Sequence, residues 1–145
     1  MHNSIPKTEF IGGILNACRL AVLATEGSGQ PHASLIAITP FRGLSEMIFA
    51  TYKNTRKFEN MRLNNRVAVL IQGEDKDGSQ QNKVFALTAF GNVEEVPISE
   101  MEEAVKAHRE RHPGLANLLG SHDFILFRIK IKSYQIARGI DDVSW

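Results

Sequence analysis

The chain has 145 residues, of which 43% are hydrophobic and 23% are charged, and its net charge at pH 7 is +1. These values are ordinary for a soluble globular protein, and the length predicts one domain over residues 1–145 with a core of its own. The balanced charge argues against nucleic acid as the main partner, and no apolar run approaches the ~20 residues that span a bilayer.

The first half of the chain predicts one helix followed by three strands. Apolar residues at helical spacing predict a helix over residues 8–19. Three apolar runs then predict strands at 20–25, 32–39 and 46–51. Segments 26–31 and 40–43, between these strands, have the composition of turns. Connections this short favour antiparallel pairing.

The second half predicts two more helices and three more strands. Strands are predicted at 66–71, 84–96 and 124–132, with a polar loop over 73–82. Gly91 lies inside the second of these and predicts a bulge or a close backbone approach. Ser99 and Glu102 form a capping box at the start of the third helix, which Pro113 ends before a short turn at 115–119. Residues 134–145 are ambiguous.

Six strands with flanking helices predict a mainly β protein, a six-stranded antiparallel β-barrel whose helices lie outside it and cover its ends. Closure of a sheet into a barrel removes exposed edges, which favours that architecture in so short a chain. The strands at 20–25 and 67–71 are apolar on both faces, which predicts more burial than one small subunit provides.

The turn between the third strand and the second helix carries the clearest functional signal. Thr55 is a good N-cap residue, and the helix that it starts is predicted to end near Asn64 and Asn65 in a left-handed stop. Arg56 and Lys57 fall in the first turn, where free N–H groups already carry about half a positive charge. A phosphate could accept from these groups and from the Thr55 hydroxyl. The alternative is a solvated basic turn without a ligand.

The same stretch resembles the pyridoxamine 5'-phosphate oxidase-like family of FMN-binding split β-barrels. The resemblance covers residues 20–96 in order of elements and is sharpest at Thr51-x-x-x-Thr55-Arg56-Lys57. Gly29–Ser34 resembles the family's turn into its second strand, and Phe85–Gly91 resembles a later strand that borders the flavin. The resemblance implies FMN as cofactor and a homodimer with flavin at the subunit interface.

The resemblance also implies roles for individual residues. By this resemblance, the residues expected to bind the flavin phosphate are Thr51, Thr55, Arg56 and Lys57. Neighbouring positions on three strands are expected to contact the rest of the flavin. The implied cofactor-binding residues are Ser34, Leu35, Ile36, Ala50, Thr51, Thr55, Arg56, Lys57 and Thr88. No catalytic residue and no metal ligand is assigned.

Two departures from the family argue against oxidation of pyridoxamine 5'-phosphate. Ser34 stands where true pyridoxamine phosphate oxidases have an arginine, and the sequence does not end in their Arg-Leu-x-Pro tail. Asp141 and Asp142 would repel a substrate phosphate, and Arg138 is the one nearby residue that could compensate.

Other candidate residues are weaker. His108 and His112 have metal-ligand spacing, but a solvated helix face is the expected interpretation because no third ligand accompanies them. Cys18, the only cysteine, is expected to be a buried structural residue, and with no secretory signal at Met1–Phe10 it indicates a reducing cytoplasm. Glu94 and Glu95 are adjacent in a strand and should point to opposite faces. Trp145 is either frayed or packed on a partner.

Three functional hypotheses follow. The first is an FMN-dependent oxidoreductase that acts on a small molecule, in which the cofactor does the electron chemistry. The second is a non-catalytic flavin-binding or electron-carrying protein, and the third is a relative that binds haem or a deazaflavin in the same barrel.

Overall fold

The computed structural model describes residues 7–75, 83–115, 123–138 and 143–144. The helices in these ranges are α1 (Lys7–Ala17), α2 (Arg56–Leu63) and α3 (Ile98–Arg111), with a 3₁₀ turn at Pro113–Leu115. The strands are β1 (Leu20–Gly27), β2 (Gln30–Ala37), β3 (Thr39–Phe41), β4 (Glu46–Tyr52), β5 (Arg66–Asp75), β6 (Lys83–Glu95), β7 (Phe124–Arg138) and β8 (Val143–Ser144). No helix in the described ranges is long and apolar enough to cross a membrane.

All the described strands form one antiparallel sheet in the order β2-β1-β5-β6-β7-β4-β3, with β8 paired to β7. The sheet does not close, because β2 and β3 remain edge strands. It curls far enough for β2 to contact β4. The predicted antiparallel split-barrel architecture is confirmed, whereas the expectation that closure removes the exposed edges is wrong for the described strands.

Each of the six predicted strands forms, and the two further strands are short. The prediction of a turn over 40–43 is wrong at its start, because Pro40 and Phe41 pair with β4. The turn itself lies at Arg42 and Gly43, which have φ angles of 53° and 71°. The ambiguous C-terminal segment begins as a continuation of β7 to Arg138, whereas residues 76–82 of the predicted loop, and Asp141, Asp142 and Trp145, lie outside the described residues.

The barrel interior is filled by side chains from five different strands. These fully buried residues are Leu23, Phe49, Val69, Leu87 and Ile129. Burial of each such side chain stabilises the fold by about 1.5–3 kcal/mol. The β6–β7 register shifts at Gly91 as predicted, and a Cβ there would lie 2.2 Å from the Lys130 carbonyl oxygen.

Strands β1 and β5 are buried on one face within the single chain. Their apolar side chains are buried only on the inner face, and Leu20 and Leu70 on the outer face are 57% and 44% exposed. Val22 and Ala68 on the same outer face are half-buried. An outer face left exposed in one subunit is what the sequence led us to expect, and its burial by a second subunit stays a prediction.

Helix α2 begins as predicted and ends differently. The Thr55 hydroxyl accepts a hydrogen bond from Phe58 N, which confirms the N-cap. Asn64 has φ −143°, so the predicted left-handed stop is wrong. The reason is local, since Asn64 Nδ2 donates to Glu26 Oε2 (2.8 Å) and Asn64 Oδ1 accepts from Arg66 N (3.1 Å). These bonds hold an extended connection into β5.

The predicted capping box of α3 does not form. The helix starts at Ile98 behind Pro97, whose fixed φ suits a helix start, and no side chain caps it. Ser99 lies exposed within the first turn. Glu100 anchors this end instead, through ion pairs with Arg42 and with Arg128 (2.8 Å).

Arg111 at the end of α3 satisfies the carboxyl end of α1. Its guanidinium donates to the carbonyl oxygens of Leu15 (2.6 Å) and Cys18 (2.7 Å). Helix α1 has no basic residue in its own last turn, where free carbonyls and the helix dipole favour a cation. Arg19 Nη1 in turn donates to the Arg111 carbonyl (2.6 Å).

His108 and His112 are buried, so the expected solvated helix face is wrong. His108 is fully buried with Nδ1 2.7 Å from Thr39 Oγ1, and His112 Nε2 donates to the Ile38 carbonyl at 2.7 Å. The sequence alone could not indicate this, because the surface that α3 covers comes from a distant strand. Burial lowers the pKa of His108 to about 4, and the neighbouring His112 adds to the effect.

We expect acid to destabilise the fold through His108. The unfolded chain binds a proton at the ordinary pKa of 6.5, whereas the folded chain binds it only near 4. The stability contributed by the neutral ring is therefore complete above about pH 6.5 and falls by up to about 3 kcal/mol as the pH drops to 4. Urea unfolding at about pH 7 and about pH 4.5 measures this loss. His108→Asn keeps an amide near Thr39 and cannot titrate, so its stability should fall less; an equal fall would contradict the assignment.

Candidate functional site

Residues 51–57 connect β4 to α2 and are called the anchor turn. They contain two threonine hydroxyl groups that form hydrogen bonds within this segment. Thr51 is 3% exposed, and its Oγ1 lies 3.3 Å from Thr55 Oγ1. Thr55 Oγ1 donates to the Tyr52 carbonyl (3.0 Å) and accepts from Phe58 N (3.3 Å). The turn is therefore ordered by its own hydrogen bonds, with the Thr55 hydroxyl at the first N–H groups of the helix and the Thr51 hydroxyl next to it.

Arg56 and Lys57 lie in the first turn of α2, as predicted. Neither has a carboxylate within 4.0 Å among the described residues, because the nearby Glu59 pairs with Arg62 (3.4 Å). Arg56 is exposed, whereas Lys57 is half-buried, and desolvation lowers its pKa. A partly buried cation at the positive end of a helix is unfavourable until an anion joins it.

Core contacts fix the position of α2. Phe58 meets the Phe127 ring at a centroid distance of 6.0 Å, and Met61 is buried in the barrel core. Asn60 Nδ2 donates to Thr25 Oγ1 on β1 at 3.1 Å. The anchor turn therefore sits on a helix that is held by both apolar and polar contacts.

The three predicted residues of β2 do not share a face. Ile36 belongs to the barrel core, and Ser34 points to the same side because strand side chains alternate. Leu35 lies on the outer face and is 65% exposed. Side chains of these three residues cannot all contact one face of a ligand.

Ala50 and Thr88 lie on other surfaces than Thr51. Ala50 packs against the apolar cluster beneath α3, on the opposite side of β4 from Thr51. Thr88 is directly opposite Leu70 in the β5–β6 register, so it shares the outer face of the sheet. The anchor turn and the inner side of β2 thus form one group, while Leu35 and Thr88 belong to the outer face.

Sequence reasoning overlooked His32 and Asn60. His32 alternates with Ser34 and Ile36 on the inner face of β2, and its buried Nδ1 atom has no hydrogen-bond partner among the described residues. The period-2 pattern could have indicated this position, because it lies two residues before Ser34. Asn60 gave no such signal, since its partner Thr25 is distant in sequence.

Two clefts flank the ends of β4 and α2. One, of about 230 Å³, is lined by Phe58, Met61, Arg62, Val93, Glu94, Glu95 and Phe127. The other, of about 450 Å³, is lined by Lys53, Glu95, Val96, Ile98, Met101, Val105, Phe124, Ile125 and Leu126. The larger volume is within the range of small-molecule sites. Within the described ranges no three His, Cys, Asp or Glu residues cluster as a metal site would require.

Cys18 and the adjacent pair Glu94 and Glu95 were the other residues considered from the sequence. Cys18 is half-buried with Sγ 3.5 Å from the Gln72 carbonyl, and burial raises its thiol pKa. Glu94 lies opposite Arg128 in the register and Glu95 opposite Phe127, so the two carboxylates point to opposite faces as predicted. Glu94 accepts from Arg128 at 2.6 Å, which makes it part of an ion-pair network.

The fold and the anchor turn define an antiparallel split barrel with a basic helix start. The family model for pyridoxamine 5'-phosphate oxidase matches residues 8–136. The chain belongs to the pyridoxamine 5'-phosphate oxidase family. A comparison with curated proteins gave no match.

Solved structures of low sequence identity share the fold. A haem-binding protein from Mycobacterium smegmatis has a TM-score of 0.82 at 16% identity, covering 97% of this chain and 58% of that protein. ChuZ from Campylobacter jejuni has a TM-score of 0.79 at 14% identity, covering 99% and 60%. An FAD-binding protein from Mesorhizobium loti has a TM-score of 0.73 at 20% identity, covering 90% and 91%. This chain therefore spans only about three fifths of the first two proteins.

The Thr55 cap can be tested by its effect on stability. Thr55→Ala removes the acceptor for Phe58 N and should lower the free energy of unfolding by about 1 kcal/mol. Thr55→Ser keeps the hydroxyl and should lose much less. Urea denaturation of both variants without ligand measures the difference, and equal losses would show that the methyl group of Thr55 matters rather than its hydroxyl.

Proposed function

We propose that the protein is an FMN-dependent oxidoreductase acting on a small molecule. One observation carries the proposal: Arg56 and Lys57 lie without carboxylate partners among the described residues, on a helix start beside the hydroxyls of Thr51 and Thr55. A phosphate group fits this donor set, since free N–H groups and two cations can donate to it and the two hydroxyls can rotate from their present partners to do so. Family membership and the fold shared with an FAD-binding protein support a flavin.

In this proposal the protein binds and orients the cofactor. The bound flavin supplies the hydride and electron transfer. Thr51, Thr55, Arg56 and Lys57 hold the phosphate, and the inner side of β2 borders the rest of the molecule. We assign no side chain as catalytic acid or base.

Haem is the second candidate, supported by the fold shared with the haem-binding protein from Mycobacterium smegmatis. A visible spectrum of the purified protein distinguishes the two, because oxidised flavin and haem absorb differently.

Anaerobic mixing with NADH and NADPH then separates an oxidoreductase, whose flavin bleaches rapidly, from an electron carrier or other non-catalytic flavoprotein.

We also propose a homodimer that buries the outer apolar face, which comprises Leu20, Val22, Ala24, Ala33, Leu35, Ala68 and Leu70. The register aligns Leu35, Val22 and Leu70 across three adjacent strands, so their side chains form a continuous row. Leu35 is 65% exposed in the single chain, and exposed apolar rows of this kind favour association. Thr88 continues the row, so in the proposed dimer this predicted flavin contact would lie beside the second copy.

Phosphate binding is tested by two flavins that differ only in that group. Arg56→Ala/Lys57→Ala should weaken FMN by roughly two to four powers of ten, because each charge-assisted hydrogen bond is worth about 1.5–3 kcal/mol. Riboflavin should bind both proteins alike. Arg62→Ala, on the last turn of the same helix, is the matched control. Equal losses of affinity for FMN and riboflavin would contradict the proposed phosphate-binding role of Arg56 and Lys57.

The dimer is tested by a charge placed in the outer apolar face. Leu70→Arg should weaken association by about tenfold or more, since an unpaired charge would be buried. Leu63→Arg is the control, because Leu63 is also an exposed leucine (74%) but lies on α2. Light scattering measures the mass of each. A wild-type monomer, or a dimer equally weakened by both substitutions, would contradict the proposed interface.

Oxidation of pyridoxamine 5'-phosphate is not expected. The second-strand arginine of true pyridoxamine phosphate oxidases is replaced by Ser34, and Arg138 is engaged over the Phe10 ring at 5.3 Å. FMN-loaded protein should therefore produce pyridoxal 5'-phosphate slowly or not at all. Product formation in the presence of oxygen is the measurement, and turnover of about 1 s⁻¹ or faster would contradict this expectation.

A further inference from the structure

The inner face of β2 carries two buried polar atoms that have no partner among the described residues. His32 Nδ1 and Ser34 Oγ make no hydrogen bond there, although both atoms are shielded from solvent. Buried polar groups are almost always satisfied, so an exception calls for a physical cause. Two such atoms on one strand face, two residues and ~7 Å apart, indicate a missing polar ligand rather than an isolated defect.

The remaining unsatisfied atoms of this kind in the described residues lie in different surroundings. Glu46 Oε1 lies 3.5 Å from Arg128 Nη1, within reach of an ion pair. His108 Nε2 lies under α3, where Nδ1 of the same ring already contacts Thr39. The β2 pair has neither arrangement.

Contacts connect the β2 pair to the anchor turn. His32 lies directly opposite Thr25 in the β1–β2 register, and Thr25 accepts a hydrogen bond from Asn60. Asn60 is three residues after Lys57 and so lies on the same side of α2. Strand β2 also contacts both α2 and β4. A ligand held at the anchor turn can therefore extend along the inner face of β2.

The chemistry of the pair favours uncharged oxygen atoms. An imidazole nitrogen and a hydroxyl can each donate or accept, which suits hydroxyl groups that do the same. Leu23, opposite Ser34, and Ile36, next along the inner face, are apolar. Neither of these two residues is a lysine or arginine that would pair with a phosphate, whereas a polyhydroxylated chain would satisfy both orphaned atoms.

We propose that His32 and Ser34 bind the ribityl hydroxyls of the flavin, which lie between its phosphate and its ring system. This inference rests on the proposed function, because it requires flavin at the anchor turn. It adds His32 to the cofactor-binding residues and gives Ser34 a hydrogen-bonding role. Both side chains position the cofactor and neither takes part in its chemistry.

The test combines side-chain variants with FMN analogues that each lack one ribityl hydroxyl. His32→Phe keeps the ring volume without Nδ1 and should weaken FMN roughly three- to tenfold, as should Ser34→Ala. His32→Asn places an amide where Nδ1 was and should restore most of the affinity, whereas His32→Gln should not. At least one deoxy analogue should bind the wild-type protein more weakly than FMN does. The affinity for that analogue should then be the same in the wild type and in His32→Phe, because the hydrogen bond is already missing.

Stability without ligand provides the control. His32→Phe removes an unsatisfied buried atom, so the ligand-free variant should melt no lower than the wild type. Ser99→Ala, at an exposed position on α3 away from both proposed interactions, should leave FMN affinity unchanged. The inference would be overturned if His32→Phe lowered the affinity for FMN and for every deoxy analogue by the same factor. It would also be overturned if His32→Phe bound FMN normally. Neither result would contradict phosphate binding at the anchor turn. Failure of the wild type to bind FMN would overturn both.

Discussion

The hydrogen bond from Asn60 Nδ2 to Thr25 Oγ1 fixes α2 against β1, and the proposed site depends on where that helix lies. Both side chains are about 4% exposed, so removal of either partner would leave a buried polar group unsatisfied at a cost of about 1–3 kcal/mol. Gly27 makes this close approach possible, because a Cβ there would lie 2.1 Å from Asn60 Oδ1. The helix start, with its two cations, is held in place by contacts made one turn further along.

The buried cations of the fold contrast with those of the anchor turn. Arg128 is 9% exposed and meets the carboxylates of Glu94 and Glu100, while the Arg111 guanidinium is occupied by backbone carbonyls. Such buried pairs are weak evidence for net stability, but they specify how α3 docks. Lys57 is partly buried without a compensating acid among the described residues. The structural cations Arg128 and Arg111 are thus each compensated by carboxylates or carbonyl oxygens. Lys57 has no such compensation among the described residues, and this exception points to a bound ligand.

Local sequence patterns predicted those features whose causes are local. Alternation and apolar runs located six strands, and Thr55 was recognisable as an N-cap because its partner, Phe58 N, is three residues away. Long-range features were not predictable in this way. The burial of His108 depends on Thr39, 69 residues distant, and the failed capping box at Ser99 reflects Glu100 being held by Arg42 and Arg128.

The candidate site was predictable to a similar extent. The proposed phosphate-binding motif lies within seven consecutive residues, so its spacing could be recognised directly. The contacts expected on β2 required knowledge of which face is buried, and there the prediction named Leu35 together with Ser34 although they lie on opposite faces. His32 went unnoticed because its significance comes from an unsatisfied atom, which only the packed structure reveals.

Strand β2 connects the two proposed interactions. It is an edge strand that pairs only with β1 in the described sheet, with Ser34 on its inner face and Leu35 on its outer face. A ligand on one face and a second subunit on the other would both order the same eight residues. Because linkage is reciprocal, any stabilisation of β2 by cofactor would favour dimer formation to the same extent that dimer formation favours cofactor binding. The open edge of the barrel is thus the place where cofactor and partner subunit would be coupled.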